Sequence, residues 1–69
     1  MQSSDSNILK GKVVKVVEGA VNCEVTLEIA PGVEIISIIT KTSAASLGLE
    51  EGKIASAVIK ASSVMIAVD

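Results

Sequence analysis

The chain has 69 residues, a formal net charge of −2, no aromatic residue and no histidine. That length holds one domain, and without histidine no Ser-His or Cys-His nucleophile can be assembled. All six basic residues are lysines, so the chain has neither a guanidinium fork to read bases nor a ring to stack them, which argues against nucleic-acid binding.

Met1 to Asn7 reads as a polar arm. It has no basic start and no apolar stretch, so it is not expected to be a signal peptide, and no apolar run approaches a membrane span. Leu9–Val17 reads as a first strand whose polar phase slips at Val13-Val14, the signature of a bulge. Glu18-Gly19-Ala20 is a turn. Val21–Ile29 alternates cleanly, with Val21, Cys23, Val25, Leu27 and Ile29 on one face and Asn22, Glu24, Thr26 and Glu28 on the other. Cys23 therefore reads as a small buried hydrophobe. As a single cysteine it cannot form an intrachain disulfide, which suits a reducing compartment.

Ala30-Pro31-Gly32 is a second turn. Val33–Thr40 reads as a third strand, apolar on both faces in its second half. Thr42–Gly48 reads as one or two helical turns, opened by a hydroxyl cap and closed by glycine. Leu49–Gly52 is a loop, Lys53–Lys60 a fourth strand and Val64–Val68 a fifth. The expectation is an all-β, five-stranded barrel with one short helix, in a single domain over residues 1–69.

Hydrophobic residues make up 49 % of the chain, and most are Val, Ile and Ala, whose small side chains bury little area each. A barrel has one interior, yet the third and fifth strands are apolar on both faces. The second face calls for a cover, and a partner subunit is the simplest one. The break Lys60-Ala61-Ser62-Ser63 puts a cation, two hydroxyls and backbone N–H groups together, a set suited to a small oxyanion. A solvated turn is the plainer reading of those residues alone. The glutamates sit at alternate strand positions or in turns and read as a solvated face. The five glycines sit at turns, caps or the bulge and form no phosphate-cradling motif. No enzyme is expected.

Five blocks add a family resemblance. Leu9-Lys10-Gly11-Lys12-Val13, Gly19–Val25, Ile36–Thr40, Leu47-Gly48-Leu49 and Val58–Ser62 resemble the molbindins in order and spacing. These are small cytoplasmic molybdate-binding proteins built on a single transport-associated OB (TOBE) domain. The resemblance runs from about Ser4 to Val68, and the length resembles that of a free-standing molbindin. It implies a five-stranded OB-like barrel and a homohexamer arranged as a trimer of dimers. It also implies storage or homeostasis of molybdate or tungstate, bound at subunit interfaces with no other cofactor.

Residue by residue, the resemblance carries the family's anion-binding arm onto Ser4, Asp5, Ser6 and Asn7. It places the hydroxyls after the third strand on Thr40 and Ser43, and the lysine turn on Lys60, Ala61 and Ser62. Two positions depart from the family pattern: Asp5 stands for a small residue and Ser6 for an arginine. These departures keep open a second reading, an oligomeric interaction module of the same fold that has lost oxyanion binding. A nucleic-acid-binding OB barrel is a third, disfavoured by the acidic charge and the absence of aromatics.

Overall fold

The computed structural model describes residues 5–69. β1 (Ser6–Glu18) is the long element and the other strands are laid against it. β2 (Asn22–Ala30), β3 (Val33–Thr40) and β4 (Ile54–Lys60) complete one antiparallel sheet of order β3-β2-β1-β4. β2 pairs with the second half of β1, from Lys12↔Glu28 to Glu18↔Cys23. β4 pairs with the first half, from Ser6↔Lys60 to Lys12↔Ile54. Lys12 is thus the hinge position at which β1 changes partner.

The phase slip at Val13-Val14 is a bulge. The β1–β2 register shifts between Val13 and Lys15, leaving Val14 without a partner on β2. Such an insertion bends a strand and increases its twist. The Val13 N–H donates to the Lys53 carbonyl at 2.8 Å, and the Gly52 N–H donates to the Val13 carbonyl at 2.8 Å. The bulge is therefore tied to the loop that leads into β4. Gly11 is neither a turn nor a cap. It lies in mid-strand, where the coiled sheet brings the β2 backbone across it. A Cβ there would run into the Glu28 carbonyl oxygen, with the Glu28 carbonyl carbon at 2.9 Å and Ile29 Cα at 3.1 Å.

The core lies inside this curl. Val13, Cys23, Val25 and Leu27 are buried, and Ala44 is added from the helix. Cys23, Val25 and Leu27 are the centre of the alternating apolar face, and Cys23 is a buried free thiol. That face frays at its ends, since Val21 is exposed. Thr26 departs from its polar phase and is buried, paired on one side with Lys15 and on the other with Ile36.

α1 (Lys41–Leu47) follows β3 without a loop. Its cap is Thr40 rather than Thr42: the Thr40 Oγ1 accepts the Ser43 N–H at 3.0 Å. The reason is that β3 still pairs through Thr40↔Asn22, and the Lys41 N–H is already taken by the Val21 carbonyl at 2.8 Å. The first helical residue is thereby fixed at Lys41. Gly48 closes the helix at φ 63° and donates to the Ala44 and Ala45 carbonyls, a left-handed position that glycine takes without a Cβ clash. Lys53 Nζ donates to the carbonyls of Leu47 at 2.6 Å and Gly48 at 3.3 Å. A cation is thus placed at the negative end of the helix.

The expected fifth strand is not part of this sheet. After β4 comes a single 3-10 turn, Ala61–Ser63. Val64–Val68 then runs with no strand pairing. The architecture is a curled, four-stranded half-barrel with one short helix, not a closed five-stranded barrel. The boundary residues also shift: β1 begins at Ser6, so Ser6 and Asn7 of the expected arm are strand residues. Among the described residues no helix is long and apolar enough to cross a membrane.

Gly11→Ala should cost about 1–3 kcal/mol by overpacking against backbone that cannot rotate away. Gly11 has no positive φ, so the loss is steric rather than conformational. Urea denaturation should show a lower midpoint with an unchanged slope.

Candidate functional site

The register between β1 and β4 brings two parts of the expected site together. Ser6 lies directly opposite Lys60, and Asn7 opposite Ile59. The Asn7 Nδ2 donates to the Ile59 carbonyl at 3.4 Å, and the Ala61 N–H donates to the Asp5 carbonyl at 2.8 Å. The arm and the lysine turn are thus stapled to each other. The staple also uses the Ala61 N–H, so that donor is not available to an anion in this arrangement. Ser4 lies outside the described residues.

Directly paired residues in an antiparallel ladder project to the same face. Lys60 and Ser6 therefore share a face. Alternation along β4 gives that face Val58, Ser56 and Ile54, all exposed, whereas Ile59, Ala57 and Ala55 are half-buried on the other. The same holds on β3, where Thr40, Ile38 and Ile36 are exposed and Ile39 and Ile35 half-buried. The polar candidates on both edge strands thus sit on the outward face, among exposed isoleucines and valines. Val58 and Ile38 are each 67 % exposed, more than a solvated face requires.

Thr40 and Ser43 form a separate group. Besides capping α1, the Thr40 Oγ1 donates to the Ser43 Oγ at 2.9 Å, so the two hydroxyls are a local pair. Thr40 lies beside Asn22, at the end of the sheet marked by Glu18, and Lys60 lies beside Ser6, at the other end of β1. One chain thus presents the two groups at opposite ends of its longest strand.

A cleft of about 220 Å³ lies on the concave side and a hollow of about 240 Å³ lies near Cys23 and α1. Neither is lined by Thr40, Ser43, Lys60, Ala61 or Ser62. In a single chain the candidate residues are an open surface, with Asp5, Asn7, Thr40, Ser43, Lys60, Ala61 and Ser62 exposed and Ser6 half-buried. Among the described residues no cluster of three or more His, Cys, Asp or Glu side chains could hold a metal ion.

Sequence reasoning missed Lys53 as a functional side chain of the fold. A lysine five residues past a helix-closing glycine is the available signal, since it can reach back to the last carbonyls. The staple between Asp5 and Ala61 left no sequence signal, because it depends on the β1–β4 register.

A curled antiparallel sheet crossed by one bulged strand, with one short helix capping its edge, defines a small all-β domain class. The chain belongs to the TOBE domain family, which matches residues 3–66, and within it to the molbindin (Mop) group. It is 52 % identical over 66 residues to "Molybdenum-pterin-binding protein 3" of Clostridium pasteurianum, covering 96 % of this chain and 97 % of that protein. It is 44 % identical to the "Probable molybdenum-pterin-binding protein" of Haemophilus influenzae over the full length of both. Among solved structures, MopII of Clostridium pasteurianum superposes with a TM-score of 0.88 at 48 % identity, covering 97 % of this chain and all of that one. The cytoplasmic molybdate-binding protein ModG, in a form with molybdate bound, superposes at 0.86 and 52 % identity. That match covers 94 % of this chain and 46 % of ModG.

Thr40→Val removes the helix cap and should cost about 1 kcal/mol of stability. Thr40→Ser keeps the oxygen and should cost less. Thermal unfolding followed by far-UV circular dichroism separates the two.

Proposed function

We propose that this chain binds molybdate or tungstate at contacts between copies of itself, and that it serves as a cytoplasmic store or buffer of the oxyanion without catalysing a reaction. The observation that carries this reading is the pairing of Lys60 with Ser6 on an outward face that is otherwise apolar. A lone lysine on a wet surface holds a dianion weakly, because water screens it. The same lysine covered by a second copy acts at lower effective dielectric, and its charge-assisted hydrogen bonds gain strength. The exposed isoleucines and valines beside it supply the reason for the second copy to settle there. Because Thr40 and Ser43 lie at the other end of β1, they meet a Lys60 only if it comes from a different copy. This fits sites shared between subunits. The hexameric trimer of dimers belongs to this proposal, as do Ser4 and the precise ligand set.

The names of the relatives support molybdenum as the element. They also raise a molybdenum pterin as the ligand. The chain has no aromatic residue with which to stack a pterin ring, so the bare oxyanion is the better fit. Asp5 and Ser6 favour the other reading, an interaction module without anion binding. In the proposed site Asp5 does not oppose the anion. Asp5 precedes the first residue of β1, and its backbone carbonyl accepts the Ala61 N–H at 2.8 Å, which ties the arm to the lysine turn through the backbone.

Calorimetric titration with molybdate, tungstate and sulfate is the test. Lys60→Ala should weaken molybdate or tungstate binding roughly 10- to 100-fold, the worth of a charge-assisted hydrogen bond of about 1.5–3 kcal/mol. Lys53→Ala should leave the affinity nearly unchanged, because that ammonium is committed to α1. Equal losses would refute the Lys60 assignment, and no heat from any anion in the unaltered chain would favour the interaction module.

The arm supplies a further prediction. Ser6→Arg together with Asp5→Ala should tighten binding roughly tenfold or more. The change adds a planar, permanently charged fork opposite Lys60 and removes a negative charge. An unchanged affinity would show that the arm does not approach the anion.

A further inference from the structure

The β1–β4 ladder repeats one chemical pairing. Ser6 stands opposite Lys60, and further along the same ladder Lys10 stands opposite Ser56. Ammonium and hydroxyl change strands between the two pairs. A local twofold through the intervening Ile8↔Val58 pair therefore relates them, Ser6 to Ser56 and Lys10 to Lys60. Alternation along both strands puts these residues on one face of the sheet, and Lys10 and Ser56 are both exposed. The first pair belongs to the candidate site, whereas the second has no part in it.

Directly opposed residues of an antiparallel ladder bring their Cβ atoms to about 4.5–5.5 Å, so the Lys10 ammonium and the Ser56 hydroxyl can meet on one small anion. Lys12 is the next exposed residue of β1 on that face, roughly 7 Å along the strand. The second pair thus has two ammonium groups within reach where the Lys60 pair has one. The ladders also set which of the two is free to act. The β1–β2 register begins at Lys12, so Lys10 has Ser56 as its cross-strand neighbour and no carboxylate beside it. Lys12 lies between Ile54 on one side and Glu28 on the other, and that carboxylate competes for its charge. Ile8, Val58 and Ile54 border the pair with groups that bring no acceptor.

We infer that Lys10 and Ser56, with Lys12 beside them, form a second contact for a tetrahedral dianion, weaker than the Lys60 pair and filled independently of it. The two pairs are four residues apart along β1, roughly 13 Å. That distance exceeds the screening length of about 8 Å at physiological ionic strength, so an anion at one pair neither repels nor recruits an anion at the other. Lys10 supplies a charge-assisted hydrogen bond and Ser56 a neutral one. Because the contact is open to water, salt weakens it. It adds capacity when the oxyanion is abundant and empties first when it is scarce. The inference shares its class of ligand with the proposed function but does not rest on the Lys60 site.

The test uses the full chain, labelled with nitrogen-15. Sodium molybdate is added at constant ionic strength, and the backbone amides and lysine ammonium groups are followed by hydrogen–nitrogen correlation spectra. The Ser56 amide and the Lys10 ammonium should shift along a saturating curve. Lys15, exposed on the same strand but opposite the buried Thr26, should not. Lys10→Gln should weaken the saturation at Ser56 roughly fivefold or more and leave the affinity read at Lys60 unchanged. Lys60→Ala should leave the Ser56 curve in place.

A straight-line drift at Lys10 and Ser56 no larger than that at Lys15 is general charge screening and overturns the inference. A Ser56 curve that Lys10→Gln does not move, or one that disappears with Lys60→Ala, overturns it as well. If Lys10→Gln loses its β-sheet circular dichroism, the curves of the unaltered chain at Ser56 and Lys15 decide alone. The same spectra keep the two proposals apart. Saturation at Ser56 with none at Lys60 refutes only the Lys60 assignment, and saturation at Lys60 with none at Ser56 refutes only the second contact.

Discussion

Everything in this fold depends on one strand serving two ladders. β1 gives its first half to β4 and its second half to β2, and Lys12 is paired on both sides. A flat strand cannot do this and still leave a concave core, so the chain bends β1 with a bulge at Val14 and lets the β2 backbone pass over Gly11. The bend leaves Val13 fully buried while its backbone groups reach Gly52 and Lys53. The same bend opens the cleft on one side and fans the outer faces of β3 and β4 on the other. The position of Lys60 follows from it, because the β1–β4 register alone sets what lies opposite that lysine.

The composition bears on how thin a core a single copy of this domain has. Among the described residues the buried apolar set is Val13, Cys23, Val25, Leu27 and Ala44, and none of these side chains is large. With no aromatic residue, there is no single group able to fill the centre of the curl. The isoleucines of β3 and the aliphatic residues after β4 are apolar as well, yet Ile36, Ile38, Met65 and Ile66 remain exposed. Small domains commonly gain stability from disulfides, metals or association. Here one cysteine excludes an intrachain disulfide, and the proposed association of copies would supply stability of that kind.

Much of the sheet was legible because period-2 alternation reports burial on one face. Val33–Thr40 was bounded correctly, the Cys23, Val25 and Leu27 face is the core, and the slipped phase at Val13-Val14 marked the bulge. The misreadings have physical causes. Val64–Val68 has the composition of a strand, but composition does not say whether a strand's neighbour belongs to the same chain, and here it has none within it. Thr42 looked like the cap because a hydroxyl before Ser-Ala-Ala is a good one. The Lys41 N–H bond to Val21 moved the helix start and made Thr40 the cap. In the candidate site the lysine turn was visible as a break between apolar runs, whereas its contact with Asp5 arose only from pairing across more than fifty residues of sequence.

The distribution of charge around the site gives it a particular character. Lys60 is the only cation within the candidate set, and Ser6, where the resemblance would place an arginine, lies directly opposite it. A site built this way relies on placed hydrogen-bond donors more than on net charge. Placed donors require a rigid frame, because a hydroxyl contributes only when its geometry is fixed beforehand. The frame is present on one side, where Ala61 is tied to Asp5 and Asn7 to Ile59, and on the other, where Thr40 and Ser43 are tied to each other and to the helix. What one chain lacks is the approach of the two halves, separated as they are along β1. Under the proposed function the strength of such a site would be set by how firmly a second copy is held, and the exposed apolar faces beside Lys60 and Thr40 are where that hold would act. If the anion binds there as proposed, affinity for it and affinity between copies would be linked, each raising the other by the same free energy.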